Sequence, residues 1–469
     1  MAHMRRAAAA QRRCFTTLSR PLQRQRICAL LSAADTGRNA EEKISRHVVC
    51  GWLRSVRFQK ARAFAQLDDG SSASGLQLVL HAETTNFGGL RKLLATGASV
   101  RVTGTLKESP GAGQKWELDA EEVQLVGGSD ETYPLQKKWH SPEYLRTVTH
   151  LRPRTRGAGA VSRIRSAMSL STHQFFGDRG FLNIHTPLIT SCDAEGGGDV
   201  FELRAPGEIT PHGKDSEASF FGHPAYLSVS GQLHAEALAT AHGDVYSFGP
   251  AFRAENSHTT RHLAELWMVE PEMAWADLSD SAALAEEYLR SVLGTTLSKC
   301  AEDFELLAGM EAAAASHGQT NGSGAQELGE GLLARPSMAD IEAVLEPEPW
   351  VQLTYAEAIS LLQAAEAAKP LRFAKPAPQW GDDLAPEHER YLCHHGGDGR
   401  PVIVRDYPRE AKSFYMRQND DGRTVAAMDV LFPRLAEVVG GGQREERLEL
   451  LVPLLSHRNL THARTLTHT

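Results

Sequence analysis

Short runs of alternating apolar and polar residues between positions 45 and 127, then a change to helical spacing beyond position 155, predict two structured domains of α+β class. The first is a small β-barrel and the second mixes helices with strands. At roughly 100–200 residues per domain, 469 residues fit two or three such units. Strands of the first domain are expected at His47–Leu53, Phe64–Leu67, Leu76–Leu80 and Ser99–Gly104, with turns at Asp68-Asp69-Gly70 and Ser109-Pro110-Gly111. Several short strands at that spacing fit an OB-fold over 45–127. Residues 128–155, with Pro134, Pro142 and Pro153, read as a linker. A helix over 160–180 places Val161, Ile164, Met168 and Phe175 on one face and meets Gly180 as its stop. Later strands are expected at Phe181–Ile184, Ala225–Val229, Asp244–Phe248, Leu266–Val269 and Val402–Val404. Residues 308–338 are rich in Ala, Gly and Ser without a period, and read as a disordered insertion.

Composition narrows the function classes. Hydrophobic residues make up 41% and charged residues 23%, which excludes a wholly disordered chain. No apolar run approaches the ~20 residues of a membrane-spanning helix, so no membrane partner is expected. Six cysteines (14, 28, 50, 192, 300, 393) lie far apart with no Cys-x-x-Cys pair, against a disulfide framework or a structural zinc site. The net charge of −8 hides an asymmetry: the first 34 residues hold seven arginines and no acid. An Arg-rich, acid-free start reads as an organelle transit peptide over 1–40, with a basic disordered tail as the bland alternative. The acidic remainder offers no bulk attraction to nucleic acid, so any such contact must come from local patches.

Two constellations carry chemistry. The first is Phe248-Gly249-Pro250-Ala251-Phe252-Arg253-Ala254-Glu255-Asn256, followed by Arg261-His262-Leu263-Ala264-Glu265 and a strand ending Glu270-Pro271-Glu272. Arg253 can clamp a phosphate with its planar fork, and Glu255 can accept from an amino group. A surface salt-bridge strand is the plain alternative. The second is Asp429 with Glu437, followed by Gly440-Gly441-Gly442-Gln443-Arg444-Glu445-Glu446-Arg447. Two converging carboxylates suit Mg²⁺ beside phosphates, and glycines let the backbone approach a small ligand. A solvated helix face beginning at Arg444 is the default there.

These strings, with others in the same order, resemble the asparaginyl-tRNA synthetases, class II enzymes of the aspartyl/asparaginyl/lysyl subgroup. The resemblance runs from about residue 45 to about residue 450, interrupted at the insertion. It includes Gly51-Trp52, His150-Leu151-Arg152-Pro153-Arg154-Thr155, Thr186-Pro187-Leu188-Ile189-Thr190 and Glu195-Gly196-Gly197-Gly198-Asp199-Val200-Phe201. It continues through Val229-Ser230-Gly231-Gln232-Leu233, Glu387-His388-Glu389-Arg390-Tyr391, Phe414-Tyr415-Met416-Arg417 and Met428-Asp429-Val430-Leu431.

The resemblance implies an OB-fold anticodon domain and a class II catalytic domain over 156–450, an antiparallel sheet flanked by helices, in a homodimer joined through helix 160–180. It implies ATP-dependent activation of asparagine to asparaginyl-adenylate, then transfer to tRNA(Asn); the arginine-rich start adds the expectation of organellar translation, in the mitochondrial matrix first and a plastid second. Arg253 would meet the α-phosphate of ATP and Glu255 the adenine amino group. His262 and Leu263 would lie along the nucleotide, and Leu266 stands where the family stacks a Phe on adenine. Asp429 and Glu437 would carry Mg²⁺; Glu195 and Gln232 would bind the substrate α-ammonium. For the substrate carboxamide, Arg444 would donate to the oxygen and Glu270 accept from the nitrogen, unless the two simply pair with each other. On the barrel, Phe64 would stack on an anticodon base, Arg57 meet phosphate or a base edge, and Gln77 read a Watson–Crick edge. Phe64 as a barrel-core residue is the alternative.

The chain departs from the pattern in three places. Leu266 lacks an aromatic face. Phe432-Pro433-Arg434-Leu435-Ala436 stands where the family has Pro-Gly-Ile-Gly. No Gly occurs after Gly442, so the family's third motif, Gly-Leu-Gly-x-Glu-Arg, is not found, and residues 451–469 read as a divergent tail. These departures leave open a catalytically impaired, C-terminally truncated tRNA-binding relative, with an aspartate–tRNA ligase as a further alternative.

Overall fold

The computed structural model describes residues 24–36, 45–85, 87–111, 113–138, 140–191, 200–204, 224–255, 263–316, 337–368 and 373–457. They form two compact units, the first reaching to Ser166 and taking in the segment from Cys300, the second holding the remainder.

The first unit contains a closed five-stranded barrel. Its strands are β1 (Arg46–Phe58), β2 (Arg62–Asp68), β3 (Leu76–His81), β4 (Ser99–Glu108) and β5 (Trp116–Gly127), in the order β1-β2-β3-β5-β4. The period-two pattern sets its interior: Ala63, Ala65 and Leu67 of β2, Leu76, Leu78 and Leu80 of β3, and Val100 and Val102 of β4 are all buried together. This is the OB-fold that the alternation predicts.

Helix α1 (Ile27–Thr36) precedes the barrel and corrects the expectation that residues up to 40 stand apart from it. Ile27 and Leu30 belong to the barrel core. The N–H groups of Ile27 and Cys28 donate to Asp69 Oδ2 at 2.9 Å and Ser71 Oγ at 3.0 Å, which satisfies the helix start. Helix α2 (Phe87–Leu93) bridges β3 and β4, and α3 (Pro142–Thr147) lies in the segment read as a linker, its Ser141 side chain capping Tyr144.

Helix α4 (Arg156–Asp178) ends just before Gly180, whose φ of 80° is the expected stop. Its expected apolar face is buried at Phe175 and only half-buried or exposed before it. Val161 and Met168 are exposed, whereas Phe175 and Phe176 are buried, Phe176 stacked on Tyr246. In the second unit, β6 (Leu182–Ile184) runs parallel to β9 (Asp244–Phe252), and β9 pairs antiparallel with β10 (Glu265–Met273). A two-stranded ribbon joins β7 (Ile189–Thr190) to β8 (Tyr226–Leu227), and α5 (Gln232–His242) leads into β9.

Helices α6 (Leu278–Lys299) and α8 (Met338–Leu345) follow in this unit; between them in the chain, α7 (Ala301–Ser316) belongs to the first unit and shows that 308–316 continue a helix, while 317–336 lie outside the described residues. A four-stranded sheet completes the unit: β11 (Val351–Thr354), β12 (Val402–Pro408), β13 (Thr424–Phe432) and β14 (Ala436–Gly442). Every residue of β13 is buried, so it reads as a continuous apolar run broken by Asp429. Helices α9 (Tyr355–Ala368) and α10 (Pro386–Tyr391) pack near this sheet, and α11 (Leu448–His457) extends beyond residue 450 with Pro453 inside it. No helix among the described residues is long and apolar enough to cross a membrane.

Candidate active site

Antiparallel register assembles the first part of the site. Leu266 lies opposite Ala251 and Glu270 opposite Ser247, so Leu266, Met268, Glu270 and Glu272 share one face of the β9–β10 ladder. Trp267 and Phe248 meet edge-on across the other face, and Val269 packs with Phe248. Arg253 follows β9 directly, its N–H bonded to Ala264 O at 3.1 Å, and Glu255 is exposed two residues on. Arg253 and Leu266 therefore stand at one end of the ladder and the two glutamates at the other. Leu263 is exposed; His262 and Glu195 lie outside the described residues.

Arg444 sits at the glutamate end, but Glu270 is not its partner. The alternative of a direct Arg444–Glu270 pair is not formed, and Arg444 takes two other carboxylates. Arg444 Nε donates to Glu236 Oε2 at 3.0 Å and Nη2 to Glu272 Oε1 at 2.9 Å. Gln232, its amide oxygen turned to the donors, accepts from Arg444 Nη1 at 2.9 Å, which places it beside Arg444. The Tyr415 ring lies against the guanidinium, 4.9 Å from its carbon. Glu270 instead accepts from the Ser230 hydroxyl, the Gly231 N–H at 3.1 Å and the Ser247 hydroxyl at 2.9 Å, fixing the loop that starts α5. Burial pushes the Glu272 carboxyl up to about 7; Arg444 opposes the rise, while Glu236 and Glu270 add to it.

Glu236, Glu272 and Tyr415 were not among the expected site residues. The signal was there for two of them. Glu272 is two strand positions beyond Glu270, and Glu236 is one helical turn beyond Gln232.

Asp429 and Glu437 come together at the β13–β14 hairpin. Asp429 pairs with Gly440, and Glu437 with Leu431, across an irregularity at Val430/Leu431. A Cβ placed on Gly440 would lie 2.7 Å from Glu437 Oε1 and 3.5 Å from Asp429 Oδ1, so the space between the two carboxylates exists because residue 440 has no side chain. Lys412 Nζ holds the buried Asp429 at 2.8 and 2.6 Å. Tyr407, facing Asp429, has its hydroxyl pKa raised far by burial and by that carboxylate. Among the described residues no cluster of three or more His, Cys, Asp or Glu could cage a metal. Two hard oxygen donors beside an open glycine edge fit Mg²⁺, which keeps waters and completes its shell with phosphates.

On the barrel, β2 alternates so that Ala63 and Ala65 point inward and Phe64 outward; Phe64 is half-buried and outside the barrel core. Arg57 lies directly opposite Phe64, and Phe64 opposite Val79, two residues from Gln77. Gln77 Nε2 donates to Glu117 Oε2 at 3.2 Å. The three expected residues therefore share one outer face.

Residues 47–126 match the OB-fold nucleic acid binding domain, and residues 141–467 match the class II tRNA synthetases (D, K and N), a match extending beyond Leu450. The chain is 46% identical over 420 residues to the asparagine–tRNA ligase of Synechocystis sp., covering 88% of this chain and 84% of that protein. It is 43% identical over 446 residues to that of Geotalea uraniireducens, covering 93% and 88%. Among solved structures it is similar to asparaginyl-tRNA synthetase from Pyrococcus horikoshii complexed with asparaginyl-adenylate, with a TM-score of 0.71 and 26% identity, covering 90% of this chain and 86% of that one. The shared barrel, the β9–β10 ladder and the Arg444 cluster thus sit in a chain that belongs to the asparaginyl-tRNA synthetases, within the class II tRNA synthetases.

Proposed function

We propose that the chain activates asparagine with ATP, forming asparaginyl-adenylate and pyrophosphate, and transfers the asparaginyl group to an asparagine tRNA. The Arg444 cluster carries this reading. Its guanidinium is already matched by Glu236 and Glu272, with Glu270 two residues away on the same face. A neutral carboxamide can accept from Arg444 and donate to a carboxylate, whereas the side chain of aspartate would bring another negative charge among three glutamates.

At the other end of the ladder, Arg253 would hold the α-phosphate while the substrate carboxylate oxygen attacks and pyrophosphate leaves, a fixed positive charge where negative charge grows. Glu255 would accept from the adenine amino group and Leu266 would cover the base. His262 would lie near the terminal phosphates and Leu263 along the nucleotide, and Glu195 with Gln232 would receive the α-ammonium. Asp429 and Glu437 would hold Mg²⁺, which when bound neutralises phosphate charge. Arg57, Phe64 and Gln77 would read the anticodon.

A homodimer is supported by apolar residues left exposed on and near α4, among them Met168, Leu170, Leu182 and Ile189. The basic, acid-free first 34 residues support import into a mitochondrion or plastid.

Titration calorimetry with asparagine and aspartate, and charging of an asparagine tRNA transcript with each, test the central reading. Tighter asparagine binding and asparagine-only charging are expected. Tighter aspartate binding, or charging with aspartate, overturns it.

A further inference from the structure

The hairpin joining Asp429 to Glu437 is built from residues ill suited to its backbone. Its turn, Phe432-Pro433-Arg434-Leu435-Ala436, holds Arg434 at φ 63° and Ala436 at φ 65°, in the left-handed region that a Cβ disfavours. Ala436 is wholly buried and is held there by its packing. Arg434 is held by a charge. Its Nε donates to Asp340 Oδ1 at 2.9 Å, with both side chains largely shielded from solvent. The other oxygen of Asp340 closes the capping box of α8, accepting from the Ser337 amide and, at 2.7 Å, from its hydroxyl. Asp340 therefore ties the strained turn to a helix start. Just past the turn, the Glu437 N–H donates to the buried Glu389 Oε2 at 3.1 Å. The turn is pinned on both sides, and the residue it delivers is Glu437.

We propose that Asp340 is a positioning residue: through Arg434 it keeps the left-handed turn closed, so that the Glu437 carboxylate stays beside that of Asp429. The inference rests on reading those two carboxylates as the Mg²⁺ ligands. Without the ion pair, the left-handed arginine keeps only the turn's own hydrogen bonds, from the Leu435 N–H to Phe432 O and Pro433 O, and its relaxation swings the start of β14. With glycine in place of Arg434 the conformation is intrinsically allowed, and Asp340 ceases to matter for the metal.

The test is electron paramagnetic resonance titration of Mn²⁺ into the full chain, in the presence of a non-hydrolysable methylene analogue of ATP, with thermal unfolding of each variant alongside. Asp340→Asn is expected to weaken Mn²⁺ binding about tenfold, the scale of support lost around a metal ligand. Arg434→Gly should bind as the parent does, and Asp340→Asn added to Arg434→Gly should change the affinity no further. A residue needed only to cap α8 would lower the melting temperature in both backgrounds and leave Mn²⁺ binding alone. Glu437→Gln separates the two ideas. If it binds Mn²⁺ as tightly as the parent, or the parent binds none, the metal reading falls and this inference with it. If Glu437→Gln abolishes binding while Asp340→Asn has no effect, or has an equal effect in the Arg434→Gly background, the positioning role alone is overturned.

Discussion

Arg444 donates to Glu272 at 2.9 Å, yet burial still pushes that carboxyl up to about 7. The pair is therefore poised close to neutral pH. Above it, Glu272 is ionised and opposes a second carboxylate; below it, the protonated group no longer does.

The first prediction concerns amino-acid choice. The preference for asparagine over aspartate should grow as pH rises through about 7 and shrink below it. Glu272→Gln should remove most of that pH dependence. Calorimetric affinities for both amino acids at about pH 6 and about pH 8 check this, and a preference unchanged with pH in the parent chain would count against Glu272 as the discriminating group.

The same carboxyl gives a second prediction, on stability. The folded pKa of Glu272 is raised, so the folded state binds its proton more tightly than the unfolded chain. Its contribution is whole below about 4.5 and is lost as pH rises through about 7. Glu445 has the opposite sign. Burial pushes its carboxyl up, but the Arg447 fork and the Gln418 and Arg447 amides outweigh that and hold it at about 2. Its contribution is present above about 4.5 and is lost as pH falls through about 2. Denaturant unfolding against pH should show Glu272→Gln flattening the neutral limb and Glu445→Gln the acid limb. Exchanged effects would refute the assignment.

The strained turn gives a third. Ala436 is buried at φ 65°, so Ala436→Gly relieves the left-handed backbone but gives up a methyl group. The balance should stabilise by up to about 1 kcal/mol. Ala436→Val adds a branched side chain at a left-handed, filled position and should destabilise by about 2–4 kcal/mol. Chemical denaturation of both variants decides it, and equal effects would mean that the backbone angle is not what limits residue 436.

Period-two alternation made the barrel legible, because β2 and β3 face a dry interior on one side only. The same rule put Phe64 outside it. Helix α4 was legible in extent, but its buried face only at Phe175: Phe175 and Phe176 bury themselves against aromatic residues of β9 and α6, which are distant in sequence, and Val161 and Met168 stay exposed. Among the candidate site residues, Arg253, Asp429 and Glu437 stood out in local strings. The partner of Arg444 did not, since Glu236, Glu270 and Glu272 are equivalent in sequence and only the approach of α5 to β10 distinguishes them. Helix α1 was hidden by its neighbourhood: a short apolar segment directly after an arginine-rich one carries no sign of the barrel that buries it.

A fourth prediction concerns the anticodon. Phe64 faces outward beside Arg57, so Phe64→Ala should leave the barrel folded and weaken binding of an asparagine tRNA transcript by roughly 1–3 kcal/mol, the value of one stacked base. Filter binding and circular dichroism on the same variant check both halves. Unchanged affinity in a folded variant would remove Phe64 from the anticodon site.

The fifth prediction follows from where α1 sits. Import into a mitochondrion or plastid would use the arginine-rich start, but the barrel already employs the chain from Gln25 onward. The Gln25 N–H donates to Val48 O at 2.8 Å and its side-chain oxygen meets His47 Nδ1 at 2.7 Å; Asp35 Oδ1 accepts from Lys115 Nζ at 2.6 Å and from Trp116 Nε1 at 2.9 Å. The targeting information should therefore lie within residues 1–24. A fluorescent protein carrying residues 1–24 is expected to reach the organelle, and removal of the same residues should leave the thermal stability and tRNA affinity of the purified chain unchanged. Removal of residues 1–36 should instead destabilise the barrel by several kcal/mol, since burying Ile27 and Leu30 contributes about 1.5–3 kcal/mol each. A cytosolic fusion would refute the import reading, and a chain equally stable without α1 would show that the helix is an ornament to the barrel rather than part of its core.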